Sequence, residues 1–200
     1  MIVKKNVIQG SDEWFDLKLG KPSASNASKI ITNSGKQSKQ REGYLYTLAA
    51  EIITGQHVNN FISDAMQEGK NREQDSRTLY EVITGSKVEQ VGLIWQDEKK
   101  EILCSPDGII EENYGLELKN VLPKTQVKYL LQNRLPVEYF SQVQFSLFVT
   151  GFQRWDFFSY SPGLKPLFIK VTRDEDFIKS LEIEINLFLA ELKNIVKKVK

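Results

Sequence analysis

Two carboxylates and one lysine, separated by a short run of sequence, are suited to metal-assisted hydrolysis. Asp107 lies in a Ser-Pro-Asp-Gly turn, and Glu117 and Lys119 lie on a strand predicted over residues 114–119. Residues two apart on a strand point to the same face, so Glu117 and Lys119 project together, and Asp107 meets them from a neighbouring strand. The carboxylates supply hard oxygen ligands for Mg²⁺, and the lysine could orient an attacking water. These parts suit phosphodiester hydrolysis, unless the Glu-x-Lys pattern simply faces solvent.

The composition limits the metal that such a site could use. Cys104 is the single cysteine and His57 the single histidine of the 200 residues. The chain therefore lacks the ligands for a thiolate cage or an imidazole-based metal site, and a Ser-His triad is also disfavoured. Any metal must be held by oxygen atoms, which favours Mg²⁺, with Mn²⁺ as a substitute.

A third carboxylate, Glu73, is placed by the helix predicted over residues 63–84. One stripe of this helix has a 3-4-3-4 spacing and consists of Met66, Gly69, Glu73, Ser76 and Tyr80. Because the stripe is otherwise small or apolar, Glu73 is expected to point toward the sheet, where a metal would offset the cost of its burial. The alternatives are an ion pair with Arg72 or Arg77 and a stripe that faces outward.

The helix predicted over residues 136–150 carries a glutamine within its apolar face. Gln144 is set among apolar residues, which are Phe140, Val143, Leu147 and Phe148. Its amide could hydrogen-bond a phosphate or the nucleophilic water, which would make it part of the catalytic site. The alternative is a core glutamine whose hydrogen bonds are satisfied within the fold.

Basic residues cluster near the N-terminus, although the whole chain has a net charge of only +1. Residues 18–41 contain no acid, and their basic residues are Lys18, Lys21, Lys29, Lys36, Lys39 and Arg41. Hydroxyl and amide side chains lie between them, and all these groups can bond phosphate oxygens. The stretch is a candidate contact strip for the DNA backbone, but a solvated loop explains its part beyond residue 33 equally well.

Helices and strands are arranged as expected for one domain spanning residues 1–200. Helices are predicted over residues 14–19, 42–54, 63–84, 124–133, 136–150 and 174–198, and strands over 88–95, 102–104, 114–119, 155–160 and 167–171. The fold class is predicted as α/β (α+β), with a central mixed sheet flanked by helices. The apolar runs are too short to span a membrane and no signal peptide is evident, so we expect no membrane partner and a cytoplasmic location.

The apolar residues of the predicted terminal helix bear on assembly. A seam with 4-3-4-3-4 spacing consists of Leu181, Ile185, Phe188, Leu192, Ile195 and Val199. Leu187, Leu189 and Val196 lie partly off this seam and could be covered by a neighbouring subunit. The alternative is that the helix only covers its own sheet.

Several motifs occur in an order and spacing that resemble a known nuclease family. They are Trp14 with Leu17-Lys18-Leu19-Gly20 and Ala24-Ser25, then Gly69, Glu73 and Ser76-Arg77-Thr78-Leu79, then Ser105-Pro106-Asp107-Gly108, Gly115-Leu116-Glu117-Leu118-Lys119 and Gln142-Val143-Gln144. The family is that of the lambda-exonuclease-like, YqaJ-type viral alkaline exonucleases, which share the restriction-endonuclease-like PD-(D/E)xK core. The resemblance extends from residue 14 through the turn at residues 160–162 and, more weakly, into the last helix.

The resemblance implies an exonuclease that digests one strand of duplex DNA from a 5′ end, releases mononucleotides and leaves a 3′ single-stranded tail. It also implies a homotrimeric ring, with a phage single-strand annealing protein as partner in the host bacterial cell. At the matching motif positions, the resemblance implies that the metal ligands are Glu73, Asp107, Glu117 and the Leu118 carbonyl. It also implies that Lys119 positions the attacking water. The positions around the 5′-phosphate of the DNA end are Lys18, Ser25, Ser105 and Gln144.

Two departures from the family pattern bear on these expectations. Lys18 occupies the position of a phosphate-binding arginine and keeps the charge but lacks the bidentate fork, so the preference for a 5′-phosphate is less secure. Residues 120–124 differ from the family's continuation after Lys119, and DNA contacts there are not carried over. The alternative functions are an endonuclease of restriction or repair type on the same fold, and a catalytically inactive DNA-end-binding recombination protein.

Overall fold

The computed structural model describes residues 1–58, 72–111 and 113–200. Within these ranges the helices are α1 (Asp12–Lys18), α2 (Arg41–Thr54), α3 (Glu73–Thr84), α4 (Pro123–Gln132), α5 (Phe140–Thr150) and α6 (Glu175–Val199), with short 3-10 helices at Ala24–Lys29 and Val137–Tyr139. The strands are β1 (Ile2–Lys4), β2 (Val88–Glu89), β3 (Leu93–Trp95), β4 (Leu103–Cys104), β5 (Gly108–Ile110), β6 (Tyr114–Asn120), β7 (Arg154–Tyr160) and β8 (Leu167–Thr172). The predicted helix over 63–84 is described only from α3 onward, and Met66 and Gly69 lie outside the described residues.

A mixed sheet forms the centre of the fold. In the part of the chain that the structure describes, its strand order is β2-β5-β6-β7-β8. Strands β6 and β7 run parallel, while the other neighbours in this sheet are antiparallel. A smaller antiparallel sheet has the order β1-β3-β4. The predicted fold class, a mixed sheet flanked by helices, is confirmed, although β1 was not among the predicted strands.

The strand predicted over residues 88–95 is in fact two strands, one in each sheet. Strand β2 pairs with β5, whereas β3 pairs with β1 and β4, and Gly92 lies between them. A Cβ at Gly92 would lie 2.6 Å from the carbonyl oxygen of Val7, so a side chain does not fit there. Because β3 is buried on both faces, its sequence has no alternation that could have revealed the break.

The two long central strands, β6 and β7, are covered on both faces. On one face, Leu116 and Leu118 pack in a cluster with Tyr80 of α3. On the other face, Trp155 joins the larger core together with Phe145 of α5. The charged residues predicted for catalysis on β6 therefore face α5 rather than open solvent.

The terminal helix α6 packs against α2 and α5 and covers the protein's own core. The first part of its predicted seam is buried, from Leu181 to Leu192, but Ile195 is half-buried and Val199 is 69% exposed. The seam therefore ends before Val199, where the helix extends past the core. Among the described residues, no helix combines the length and the apolar character needed to cross a membrane.

Candidate active site

The turn before β5 brings Asp107 against β6. The N–H of Asp107 donates to the Leu116 carbonyl at 3.0 Å, and the N–H of Leu118 donates to Asp107 Oδ2 at 2.6 Å. The Asp107 side chain thus continues the hydrogen bonding where the β5–β6 pairing ends at Gly108. Since the N–H and C=O of one strand residue project to the same edge, the Leu118 carbonyl points to the Asp107 side of β6.

Glu117 and Lys119 project from one face of β6 and are in contact. Lys119 Nζ lies 2.5 Å from Glu117 Oε1, and the Glu117 side chain is only 4% exposed. Gln142 of α5 donates from Nε2 to the same oxygen at 2.6 Å. Lys119 Nζ also lies 5.2 Å from the centre of the Tyr139 ring. The alternative of a Glu-x-Lys pattern that faces solvent is therefore wrong.

Burial and neighbouring charges shift the pKa values of this cluster. Burial raises the pKa of Asp107 well above its ordinary value of 3.8, and the charges of Glu117 and Glu73 raise it further, while the Lys119 charge and the Leu118 N–H lower it. For Lys119, burial alone would lower the pKa, but the charges of Glu117 and Asp107 outweigh burial and raise it. Lys119 is therefore charged at neutral pH, and Asp107 is the member of the cluster whose negative charge is least compensated.

Glu73 begins α3 and faces the same cleft as Asp107. Its Oε1 accepts a hydrogen bond from Arg77 Nη2 at 2.5 Å, and its side chain is 35% exposed. Together with Asp107 and Arg77 it lines a cleft of about 670 Å³, which is also bordered by the segment 5–10 and by Trp14. The sequence left open whether Glu73 points toward the site or forms an ion pair with Arg77. In the structure it does both.

The oxygen donors around the start of β5 and on β6 fit a divalent cation in part. Among the described residues, no three His, Cys, Asp or Glu side chains lie close enough together to hold a metal ion. Asp107, Glu117 and the Leu118 carbonyl are the donors that could hold one, because the charge of Asp107 has no ion-pair partner within the described ranges and hard oxygen ligands suit Mg²⁺. Arg77 occupies Glu73 Oε1, which leaves Oε2 as the oxygen that Glu73 could offer to a cation.

Two of the residues expected around a 5′-phosphate come from neighbouring segments. Ser23 forms a parallel bridge with Leu103, so the chain leaves both in the same direction toward Ser25 and Ser105. Ser25 is exposed, and its hydroxyl lies 3.2 Å from that of Ser23. The Ser105 hydroxyl is shielded from solvent and has no hydrogen-bond partner in the described part of the chain, so its donor and acceptor capacity is available to a ligand.

Lys18 ends α1, with its ammonium 3.5 Å from the centre of the Trp14 ring. Burial and the charge of Glu117 raise the pKa of the Cys104 thiol, and the charge of Lys18 lowers it. The charges of Glu117 and Lys18 therefore both affect the thiol of Cys104, the residue directly before Ser105.

Gln144 does not face the site, and Gln142 does. Gln144 is 1% exposed; its Nε2 donates to the Thr172 carbonyl and its Oε1 accepts from the Asp174 N–H, both at 2.9 Å. The catalytic and phosphate-binding role expected for Gln144 is corrected accordingly, because its amide is used in joining α5 to the segment after β8. Residues two apart on a helix are about 200° apart around its axis, so Gln142 points to β6. The signal that could have found it is the polar pair Gln142 and Ser146, four residues apart.

Arg41 cannot belong to the proposed DNA contact strip. Its side chain is 8% exposed, forms an ion pair with Glu191 and lies over the Phe188 ring of α6. Lys29 lies over the Tyr44 ring, 5.3 Å from its centre. The candidate strip therefore ends before residue 41.

The chain is similar over nearly its whole length to solved structures of an alkaline exonuclease. The alkaline exonuclease LHK-Exo from Laribacter hongkongensis is 30% identical, with a TM-score of 0.85 over 94% of this chain and 96% of that chain. LHK-Exo in complex with dAMP matches with 30% identity and a TM-score of 0.86 over 95% and 96% of the two chains. A phage-related exonuclease from Haemophilus somnus 129PT has a TM-score of 0.67 at 12% identity over 90% and 96%, which is a likeness of fold alone. The fold is that of the alkaline exonucleases.

A comparison of families covers the site itself. Residues 13–153 match the YqaJ-like viral recombinase domain, a span that contains Asp107, Glu117, Lys119 and Gln142. The chain belongs to the YqaJ-like viral recombinase domain family, and the family expected from the sequence motifs is confirmed. A comparison with curated proteins gives no match.

Proposed function

We propose that this protein is a Mg²⁺-dependent 5′→3′ double-strand DNA exonuclease that releases mononucleotides and leaves a 3′ single-stranded tail. Membership of the YqaJ-like family and the likeness to LHK-Exo support an exonuclease. The complex of LHK-Exo with dAMP supports a deoxynucleoside monophosphate as the product. The tail would then be bound by a phage single-strand annealing protein in the cytoplasm of the host bacterium.

The observation that carries the proposal is the meeting of Asp107, from the turn before β5, with Glu117 and Lys119 on β6, the middle strand of the sheet. Two acids, one from the turn before β5 and one from β6, lie beside one charged lysine, and the Glu117 side chain is only 4% exposed. Ion pairs that serve only stability have no need of a second carboxylate without a cationic partner. A site that binds a cation and then a phosphodiester does need one.

The contacts of each side chain in the active site indicate the role that we propose for it. A divalent cation held by Asp107, Glu117 and the Leu118 carbonyl would supply positive charge to the phosphate oxygens. Lys119 keeps its proton and can hold the attacking water through a hydrogen bond while its charge favours hydroxide character. Gln142 fixes the orientation of the Glu117 carboxylate by donating to Oε1.

The phosphate at the DNA end would be received on the other side of β4. The Ser105 hydroxyl, which has no hydrogen-bond partner among the described residues, would be one donor to it, and Ser25 and the Lys18 ammonium would be the others. Such contacts would place the first phosphodiester of the 5′-ended strand over the acidic cluster. The direction of digestion would follow from this placement.

The proposal is tested by digestion of duplex DNA labelled at either end. We expect Mg²⁺-dependent release of mononucleotides from the 5′-ended strand of linear duplex, and no digestion in EDTA. Covalently closed circular DNA should be resistant, because it offers no end. Asp107→Ala should abolish cleavage while DNA binding survives. Nicking of closed circles would favour an endonuclease, and Mg²⁺-independent or absent cleavage would contradict the proposal.

We further propose that three copies form a ring around the duplex, as the family resemblance implies. Of the apolar residues expected to be surplus on α6, Leu187 is 46% exposed, while Leu189 and Val196 pack against the core. Ile183, four residues before Leu187, is 61% exposed and extends the same patch. Enclosure of DNA would also lessen the need for a strongly basic surface, in keeping with a net charge of +1.

Light scattering at several protein concentrations tests the ring. The expected mass is close to three times the 23.0 kDa of one chain. A mass of 23.0 kDa at all concentrations would contradict the ring and leave a nuclease that acts as a single chain.

A further inference from the structure

Arg77 is a buried cation whose contacts join separate parts of the acidic site. Its side chain is 6% exposed. Nη2 donates to Glu73 Oε1 at 2.5 Å and lies 3.4 Å from the Asp107 carbonyl oxygen, and Nη1 donates to Gln74 Oε1 at 2.9 Å. With the Gln90 amide turned to satisfy its neighbours, the Gln90 oxygen accepts from both terminal nitrogens at 3.0 Å.

These contacts differ from those of an ordinary ion pair on a helix surface. An exposed pair four residues apart is held only by its own helix and contributes little. Here the guanidinium is desolvated and also reaches the turn before β5, so one rigid group connects Glu73 with the main chain of Asp107. That main chain in turn sets where the Asp107 carboxylate meets the Leu118 N–H.

Helix α3 is attached to the sheet by other polar contacts as well. Tyr80 donates from its hydroxyl to Asp156 Oδ2 at 2.6 Å, and the Ser76 hydroxyl donates to Asn120 Oδ1. Tyr80 and Ser76 are both fully buried. The helix therefore has anchors that do not depend on Arg77, and the effect of changing Arg77 should be confined to Glu73 and the Asp107 turn.

We propose that Arg77 is a positioning residue, which holds the Glu73 carboxylate and the Asp107 turn in one arrangement from which a divalent cation is bound. The inference rests on the proposed metal-dependent function. The opposite role, that of a counter-ion only, makes an opposite prediction. Loss of a positioning group weakens cation binding because the ligands lose their fixed places, whereas loss of a counter-ion strengthens it because a repulsive charge is removed.

The test compares Arg77→Met, Arg77→Lys and Tyr80→Phe with the wild type. Met removes the charge and all donors at similar length, Lys keeps the charge but loses the fork, and Tyr80→Phe removes a contact of the same helix without touching Glu73 or Asp107. Mn²⁺ affinity is measured by calorimetry, unfolding in EDTA by circular dichroism, and cleavage by single-turnover kinetics in Mg²⁺.

We expect Arg77→Met to weaken Mn²⁺ binding about 10–100-fold, the range typical when the hydrogen-bond partner of a metal ligand is removed. Arg77→Lys should fall between Arg77→Met and the wild type. Tyr80→Phe should lose stability but keep its Mn²⁺ affinity within about twofold of the wild type, since it lies outside the contact network. Single-turnover rates should follow the order of the Mn²⁺ affinities.

Unchanged or tighter Mn²⁺ binding by Arg77→Met would overturn the positioning role. Equal losses of affinity in Arg77→Met and Tyr80→Phe would also overturn it, because the effect would then follow stability. If Arg77→Met does not fold, the Mn²⁺ affinity of Arg77→Lys is the deciding measurement. Lys keeps the charge, so a counter-ion role requires an affinity equal to that of the wild type, whereas a positioning role requires a weaker one. A wild type that neither binds Mn²⁺ nor cleaves DNA would contradict the proposed function instead.

Discussion

Replacing Asp107 by asparagine should stabilise the metal-free protein, whereas replacing Glu117 by glutamine should destabilise it. The Asp107 carboxylate is desolvated beside Glu117 and has no ion-pair partner within residues 1–58, 72–111 and 113–200. Asparagine keeps an oxygen for the Leu118 N–H and removes the charge. Glu117 instead lies 2.5 Å from the half-buried Lys119 ammonium, and loss of the Glu117 charge would leave that cation with less compensation.

The magnitude follows from the cost of burying a charge. An ionised carboxylate taken out of water costs several kcal/mol, of which the Leu118 N–H and the Lys119 charge return a part. We expect Asp107→Asn to raise the free energy of unfolding by about 1–3 kcal/mol, and Glu117→Gln to lower it by a similar amount. For a chain of 200 residues, this gain corresponds to an unfolding midpoint that is roughly 2–12 °C higher.

The gain from Asp107→Asn should depend on pH in a definite direction. Because the folded protein holds the Asp107 pKa above 3.8, the destabilisation caused by its ionisation is fully present only above the folded-state pKa, and it shrinks as the pH falls from there toward 3.8. Unfolding in EDTA is compared at about pH 7.5 and about pH 4. Asp16→Asn, the same change at an exposed position, is the control. A less stable Asp107→Asn at neutral pH, or a gain that is as large at the lower pH, would refute the reasoning.

Three further predictions concern catalysis. Gln142→Leu should slow single-turnover cleavage about 10–100-fold, because Glu117 loses the donor that orients its carboxylate. Gln144→Leu should instead lower the unfolding midpoint and leave the cleavage rate of the folded protein near normal. Lys119→Ala should reduce the chemical step by a factor on the order of 100 with a much smaller change in DNA affinity, as measured by single-turnover kinetics beside equilibrium binding; a loss confined to binding would make Lys119 a backbone contact. Removing the 5′-phosphate from linear duplex should slow initiation, because the Ser105 hydroxyl loses its ligand, and equal initiation rates on both ends would exclude the phosphate pocket.

The relation of Glu117 to Lys119 could be predicted because it depends only on the period of one strand. Any strand over residues 114–119 places the two side chains on one face and the intervening Leu118 on the other. The turn at Asp107 is equally local, since its length leaves few ways to join β4 to β5. The structure adds what the period cannot give, namely that α5 covers the charged face and that Leu118 donates to the Asp107 side chain.

The glutamine that faces the site could not be chosen by the same reasoning. Helix α5 is buried around most of its circumference, so its apolar residues do not mark a single face. Gln142 and Gln144 point to opposite sides, and both find partners inside the protein. Only the position of the helix relative to β6 distinguishes them. That position is set by packing between elements far apart in sequence, which hydrophobic periodicity within one helix does not report.

The charges around the site suggest why the protein surface need not be strongly basic. Glu73 is paired with Arg77 and Glu117 with Lys119, which leaves the charge of Asp107 as the unbalanced one. With all three carboxylates ionised, three negative and two positive charges give this group a net charge of −1, and a single bound divalent cation would change it to +1. A positive charge in a desolvated cleft attracts a phosphodiester more strongly than the same charge on the surface. The attraction of a phosphodiester to this group of residues would then be stronger when the cation is bound than when it is absent.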